Sequence, residues 1–236
     1  MVLSIASAAS AQTLYNNLPP AVTIGNYYDI AGGNQPDAGP LYNSFSTGSS
    51  NVLLTDVKVY LERMAAPLGA FNMALWTSLG DYPNTEIQGL GAMNDTAVST
   101  SGGVYDFPVN PGVQLTANTR YFIELYATNS GAEAVSTYWA STDSTSGTGN
   151  VGGEYNCFEG FFNFETPASV RGARPHGTTG LGCFSNTEAN DPFIMEVTAG
   201  PQSTASAPDL TLPGMAVLSI LLAVSAILLQ RRQALR

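Results

Sequence analysis

The chain has 236 residues, room for one sizeable domain plus targeting segments. Only 11% of them are charged, against 24 Gly and 14 Pro, which excludes a helix-rich soluble protein, whose exposed helix faces need far more Lys, Glu and Arg. Before the tail, five basic residues stand against 18 acidic ones, leaving the body at −13; the three tail arginines bring the total to −10, and such a surface argues against nucleic acid as a partner.

In chain order, residues 1–11 read as a signal peptide. "MVLSIASAASAQ" is a short apolar run followed by small residues, and Ala9-Ser10-Ala11 fits the signal-peptidase rule. Cleavage between Ala11 and Gln12 is expected. No Lys or Arg precedes the apolar run, so the expectation is a signal truncated at its start.

Residues 12–198 form the body. "VLLTDVKVYLER" alternates, with Val57, Val59 and Leu61 on one face and Asp56, Lys58, Tyr60 and Glu62 on the other. "AFNMALWTS" sets Phe71, Met73 and Leu75 against Asn72, Ala74 and Trp76. "VQLTANTRYFIELYAT" reads as strand, turn, strand, and "STYWAST" and "PFIMEVTA" add two more. "PGV", "TANT" and "GDYPN" read as turns between them. No window of the body has helical periodicity. The expected fold is all-β, an antiparallel, jelly-roll-like β-sandwich.

Four aromatics, Trp76, Tyr82, Tyr138 and Trp139, fall at strand ends or turns, where exposed rings stack on sugars; the alternative is that both tryptophans belong to the core or its rim. Asp81, Asp95 and Asp143 lie in Gly/Ser/Asn-rich loops and carry oxygen ligands suited to a structural Ca²⁺, without any calcium-binding repeat; no other cofactor is expected.

Residues 147–184 read as an insertion, long and glycine-rich, holding both cysteines. Cys157 and Cys183 in an exported chain are expected to form one bridge that staples it. Free thiols and metal ligation are the alternatives, and one His with two Cys makes no zinc set. His176 is the sole histidine, so any Ser-His-Asp arrangement must use it; it sits in the turn-like "RPHGTTG". There is no P-loop, dinucleotide fingerprint or metalloprotease helix, and no catalytic residue is assigned.

Residues 199–211 form a small, polar, proline-containing linker. Residues 212–229 carry no charge, and 18 helical residues span about 27 Å, enough for a hydrocarbon core. Residues 230–236 follow as a basic stop with Arg231, Arg232 and Arg236, which places the C-terminus inside the cell and the body outside.

The stretch "APDLTLPGMAVLSILLAVSAILLQRR" resembles bacterial C-terminal sorting signals of the IPTL-CTERM type, with Pro208, Leu210, Gly214 and Met215 at the family's motif positions. Pro213 replaces the family's usual aromatic. The layout also resembles PEP-CTERM signals, without a Pro-Glu-Pro. This resemblance implies a partner protease that sorts or processes the tail.

The body resembles the bacterial choice-of-anchor domains, R-type, on "TLYNNL", "FNMALWTSLGDYP", "LTANTRYFIELYAT", "TYWASTD" and "PFIMEVTA". It implies an exported domain with no catalytic activity to carry over. The resulting expectation is a non-enzymatic cell-surface or matrix protein, with a carbohydrate-binding module for exopolysaccharide as the alternative.

Overall fold

A computed structural model describes residues 11–31, 40–127, 136–159, 181–186 and 192–202. Twelve strands run in chain order: β1 Gln12–Asn16, β2 Tyr27–Asp29, β3 Leu41–Ser46, β4 Val52–Arg63, β5 Ala70–Leu79, β6 Tyr82–Asn94, β7 Gly103–Leu115, β8 Arg120–Ala127, β9 Thr137–Ala140, β10 Tyr155–Glu159, β11 Leu181–Ser185 and β12 Met195–Pro201. Every pairing is antiparallel. The first sheet runs β1-β12-β4-β9-β2, with β7 on the other edge of β4; the second runs β11-β10-β3-β8-β5-β6.

The period-two patterning decides which faces meet. Val57, Val59 and Leu61 of β4 and Phe71, Met73 and Leu75 of β5 are fully buried in one cluster, which joins the inner faces of both sheets. Trp139 lies in it too, stacked on Phe193 at 4.6 Å, its Nε1 donating to the Ile194 carbonyl at 3.0 Å. β4 is the spine of the first sheet. β12 pairs its residues 52–59 and β9 its residues 61–63 along one edge, while β7 takes the opposite edge.

Three expectations need correction. Pro111 and Gly112, read as a turn, lie inside β7. They fall where pairing jumps from Leu54↔Val113 to Asp56↔Pro108, a bulge on a strand that among the described residues has β4 alone as ladder partner, so the missing proline N–H costs little. Ala199, Gly200 and Pro201, read as the start of the linker, belong to β12 and pair with Leu54, Leu53 and Val52 of β4. The described residues of the expected insertion at 147–184 join the sandwich. Its β10 pairs β3 and its β11 pairs β10, so both belong to the second sheet. Its start docks on β1, with Asn16 and Thr148 exchanging backbone bonds. Gly149 there has φ +85°, and a Cβ would meet the Leu14 carbonyl at 2.3 Å, so only glycine fits.

β1 pairs with β12, Gln12 opposite Ala199, so the chain enters and leaves this unit at one end. Among the described residues no helix is long and apolar enough to cross a membrane. The signal segment before Ala11, the expected span at 212–229, the basic stop at Arg231, Arg232 and Arg236, the motif positions Pro208, Leu210, Gly214 and Met215, and His176 all lie outside the described residues.

Candidate functional site

The outer face of the first sheet gathers chemistry that the strands bring from three places in the sequence. Glu62 of β4 pairs with Tyr138 of β9, and Tyr138 pairs with Asp29 of β2. One register row therefore reads carboxylate, phenol, carboxylate. Tyr60, two residues before Glu62, and Tyr27, two before Asp29, lie on the same face and form a second row. Strand spacing makes the patch roughly 10 Å wide and about 7 Å deep. All five side chains are half-buried. Behind the second row, Tyr27 and Tyr60 pack on a small apolar shelf of Val22, Ala140 and Ile194.

The hydroxyls and carboxylates are matched. The Tyr27 hydroxyl faces Glu62; burial, then Glu62, then Tyr60 push its ionisation far above the usual phenol range. Tyr138 faces Asp29, and burial followed by that carboxylate raises it. Burial also raises the Asp29 carboxyl, against the hydrogen bond from Tyr138. Both phenols therefore stay neutral donors at physiological pH. Among the described residues no cation pairs Glu62 or Asp29.

Further along the same face the acidic character continues. Lys58 Nζ is 2.6 Å from Glu196 Oε1 and 3.5 Å from Asp56 Oδ2, and Asn16 Nδ2 donates to the other Glu196 oxygen at 2.6 Å. Asp106 of β7 stands opposite Lys58, beside Asp56. Burial, then Asp106, push Asp56 up to about 6, while Lys58 pulls the other way.

The structure scatters the four aromatics expected at a binding surface. Trp139 is in the main core and Trp76 is fully buried on the outer side of the second sheet, so neither ring offers an open face. Trp76 donates to Glu124 Oε2 at 2.7 Å, and Tyr42 donates to Glu124 Oε1 at 2.6 Å. Tyr82 packs at the rim of that cluster, half-buried. Tyr138 alone of the four lies in the tyrosine–carboxylate patch. Its neighbours Tyr27, Asp29, Tyr60 and Glu62 escaped the sequence reading, although Tyr60 and Glu62 stood on the expected polar face of β4. Their convergence depends on β2–β9–β4 register, which no local pattern encodes.

The three loop aspartates have separate roles. Asp81 pairs with Arg120 at 3.0 Å. Asp95 is fully buried and lies at the opposite end of the β5–β6 hairpin from Asp81. Its Oδ2 accepts from the backbone N–H of Leu68, Gly69 and Ser136 and from Ser136 Oγ at 3.0–3.3 Å, and its Oδ1 accepts from Thr137 Oγ1. Asp143 is exposed. Among the described residues no three His, Cys, Asp or Glu side chains gather in a metal-sized group. Cys157 and Cys183 are bonded at 2.00 Å, directly opposite each other on β10 and β11.

No protein-family model matches the chain, and no curated protein matches it. Among solved structures a match is found with the crystal structure of the cysteine protease and lectin-like domains of Cwp84, a surface layer associated protein of Clostridium difficile. Identity is 12% and the TM-score 0.41 over 69% of this chain, which spans 32% of the length of that one.

Proposed function

We propose that the chain is a non-enzymatic protein of the bacterial envelope, exported and displayed as a disulfide-stapled β-sandwich. The observation that carries this is the Cys157–Cys183 bond joining two neighbouring strands of the second sheet. Such bonds persist in oxidising compartments and are rare in the cytosol. One feature supports it: β1 opens at Gln12, the residue after the expected cleavage, and pairs with β12, the strand that leads toward the sorting-type tail.

Two measurements test this. A reporter active only outside the cytoplasm is fused before Pro208, and an active fusion is expected; an inactive fusion with the chain intact in the cytosol overturns the proposal. Replacing Pro208 and Leu210 with Ala leaves the apolar span and arginines in place. If the tail is a sorting signal, that variant accumulates as a longer, membrane-held precursor while the unaltered chain loses Arg236. Identical behaviour of the two makes the tail a plain anchor.

A further inference from the structure

From one register row of the first sheet we infer an intramolecular crosslink: Lys58 Nζ and the side-chain carbonyl carbon of Asn16 join as an amide, with Glu196 carrying the protons. The inference goes beyond display. It is read on the purified chain, so a failure of export leaves it standing, and its own failure leaves display standing.

The register brings three strands to one point. Asn16 of β1 stands opposite Glu196 of β12, and Glu196 stands opposite Lys58 of β4. One carboxylate holds both outer residues: Lys58 Nζ donates to Oε1 and Asn16 Nδ2 donates to Oε2, each at 2.6 Å. Nucleophile and amide are thus kept within two hydrogen bonds of each other by the group that serves as base. An ion pair alone needs nothing from Asn16. Here the Asn16 Oδ1 also accepts from the Leu18 N–H at 2.8 Å, a donor placed on the carbonyl oxygen that gains charge during attack.

The step balances without a co-reactant. The Lys58 ammonium gives one proton to Glu196, and the neutral Nζ attacks Asn16 Cγ. The Nζ–Cγ bond forms, Glu196 passes its proton to Nδ2, and the Cγ–Nδ2 bond breaks as ammonia leaves. Nζ sheds a second proton through Glu196 to that ammonia, which departs as ammonium, and the carboxylate is restored. Lys58 faces Glu196 on β12, Asp106 on β7 and Asp56 on its own strand. The hydrogen bond to Glu196 raises its titration most, against burial. Neutral amine is therefore the minor form, and closure is slow and quickens as pH rises. The amide spans from β1 to β4 over β12, so it locks the strand that leads toward the tail between two joined neighbours. It also removes the lysine charge that opposes the rise of the Asp56 carboxyl.

The test is peptide mapping by mass spectrometry of the purified, reduced full chain after incubation at pH 7 and pH 9. Between Asn16 and Arg63 the sequence holds one trypsin site, Lys58. The expected result is a peptide that runs uncut through Lys58 to Arg63 and is lighter by about 17 Da, the mass of ammonia, with more of it at pH 9. Chymotrypsin then leaves the Asn16 and Lys58 fragments joined. The joined fragments are the readout, because an N-terminal Gln12 loses the same mass when it cyclises. Glu196→Gln and Asn16→Ser are each expected to be cut after Lys58, with no joined fragments; melting curves establish that each folds, and either one suffices. Complete cutting after Lys58 in the unaltered chain at both pH values overturns the inference. So does a loss of about 18 Da with Lys58 joined to a carboxylate, or an equal yield of joined fragments in Glu196→Gln.

Discussion

Asp95 loads four of its five donors onto one oxygen. It ties the Leu68–Gly69 turn, the approach to β9 and its own 3-10 turn to a single point. A sequence read for loop carboxylates flags it as a calcium ligand, because the same oxygens serve either purpose. What separates the two readings is which donors surround the side chain, and residues 68 and 136 are distant in sequence. Asp95→Ala removes that shared acceptor and is expected to destabilise by about 3 kcal/mol, measured by urea unfolding. The exposed Asp143→Ala should change stability by less than about 0.5 kcal/mol. Equal effects at the two positions contradict the clamp. The tryptophans teach a related lesson. Trp76 sits on the outer side of its sheet as the alternation indicates, but a second cluster of Tyr42, Phe122 and Cys157 forms there and buries it. Binary patterning assigns a face, not whether that face is covered.

At the scale of strands, the long alternating stretches were legible and the short or interrupted ones were not. β4, β5, β8 and β12 carry their own signal because each puts an apolar residue inward at every second position. β10 and β11 do not. Asn156 faces Asn43 on the inner side of the second sheet, so its polar–apolar rhythm is broken. Asparagines there have a reason. Asn43 Oδ1 accepts from the Phe193 N–H at 3.1 Å, and Asn17 donates to the Phe193 carbonyl at 3.1 Å while accepting from Met195 N at 2.8 Å. These side chains satisfy backbone groups of Phe193 and Met195 where the chain enters β12. The disulfide also gains meaning at this scale. Among the described residues β11 pairs with β10 alone, so the bond holds an edge strand in place. Its sequence separation of 26 corresponds to about 3–4 kcal/mol of chain-entropy stabilisation. Cys157→Ser with Cys183→Ser should speed amide exchange at residues 181–185 well before β4 or β12. Uniform acceleration across both sheets would falsify the edge-staple picture.

Across the whole molecule, charge is distributed against stability at neutral pH. Among the described residues the first sheet's outer face carries five carboxylates and one lysine, and Asp106 stands beside Asp56. The charged groups acting on Asp56 are Asp106 on β7 and Lys58 on its own strand. Its native carboxyl titrates near 6, above the usual 3.8, so the folded state holds the proton more tightly than the unfolded chain. The stabilisation from that proton is complete below about 4 and is lost as pH rises through 6. Lys58 is also raised, by Glu196 first, but a lysine stays charged throughout this window and contributes no slope. Asp29, raised by burial, acts in the same direction as Asp56. The protein should therefore melt higher at pH 5 than at pH 7.5. Solvent screening holds the Asp56 share to about 1 kcal/mol, or a few degrees for a domain of this size. Asp56→Asn mimics the protonated carboxyl without ionising, so it should raise the melting temperature at pH 7.5 and flatten the profile between pH 5 and 7.5. A variant that melts lower at pH 7.5 and keeps the full slope would place the pH dependence elsewhere on the acidic surface.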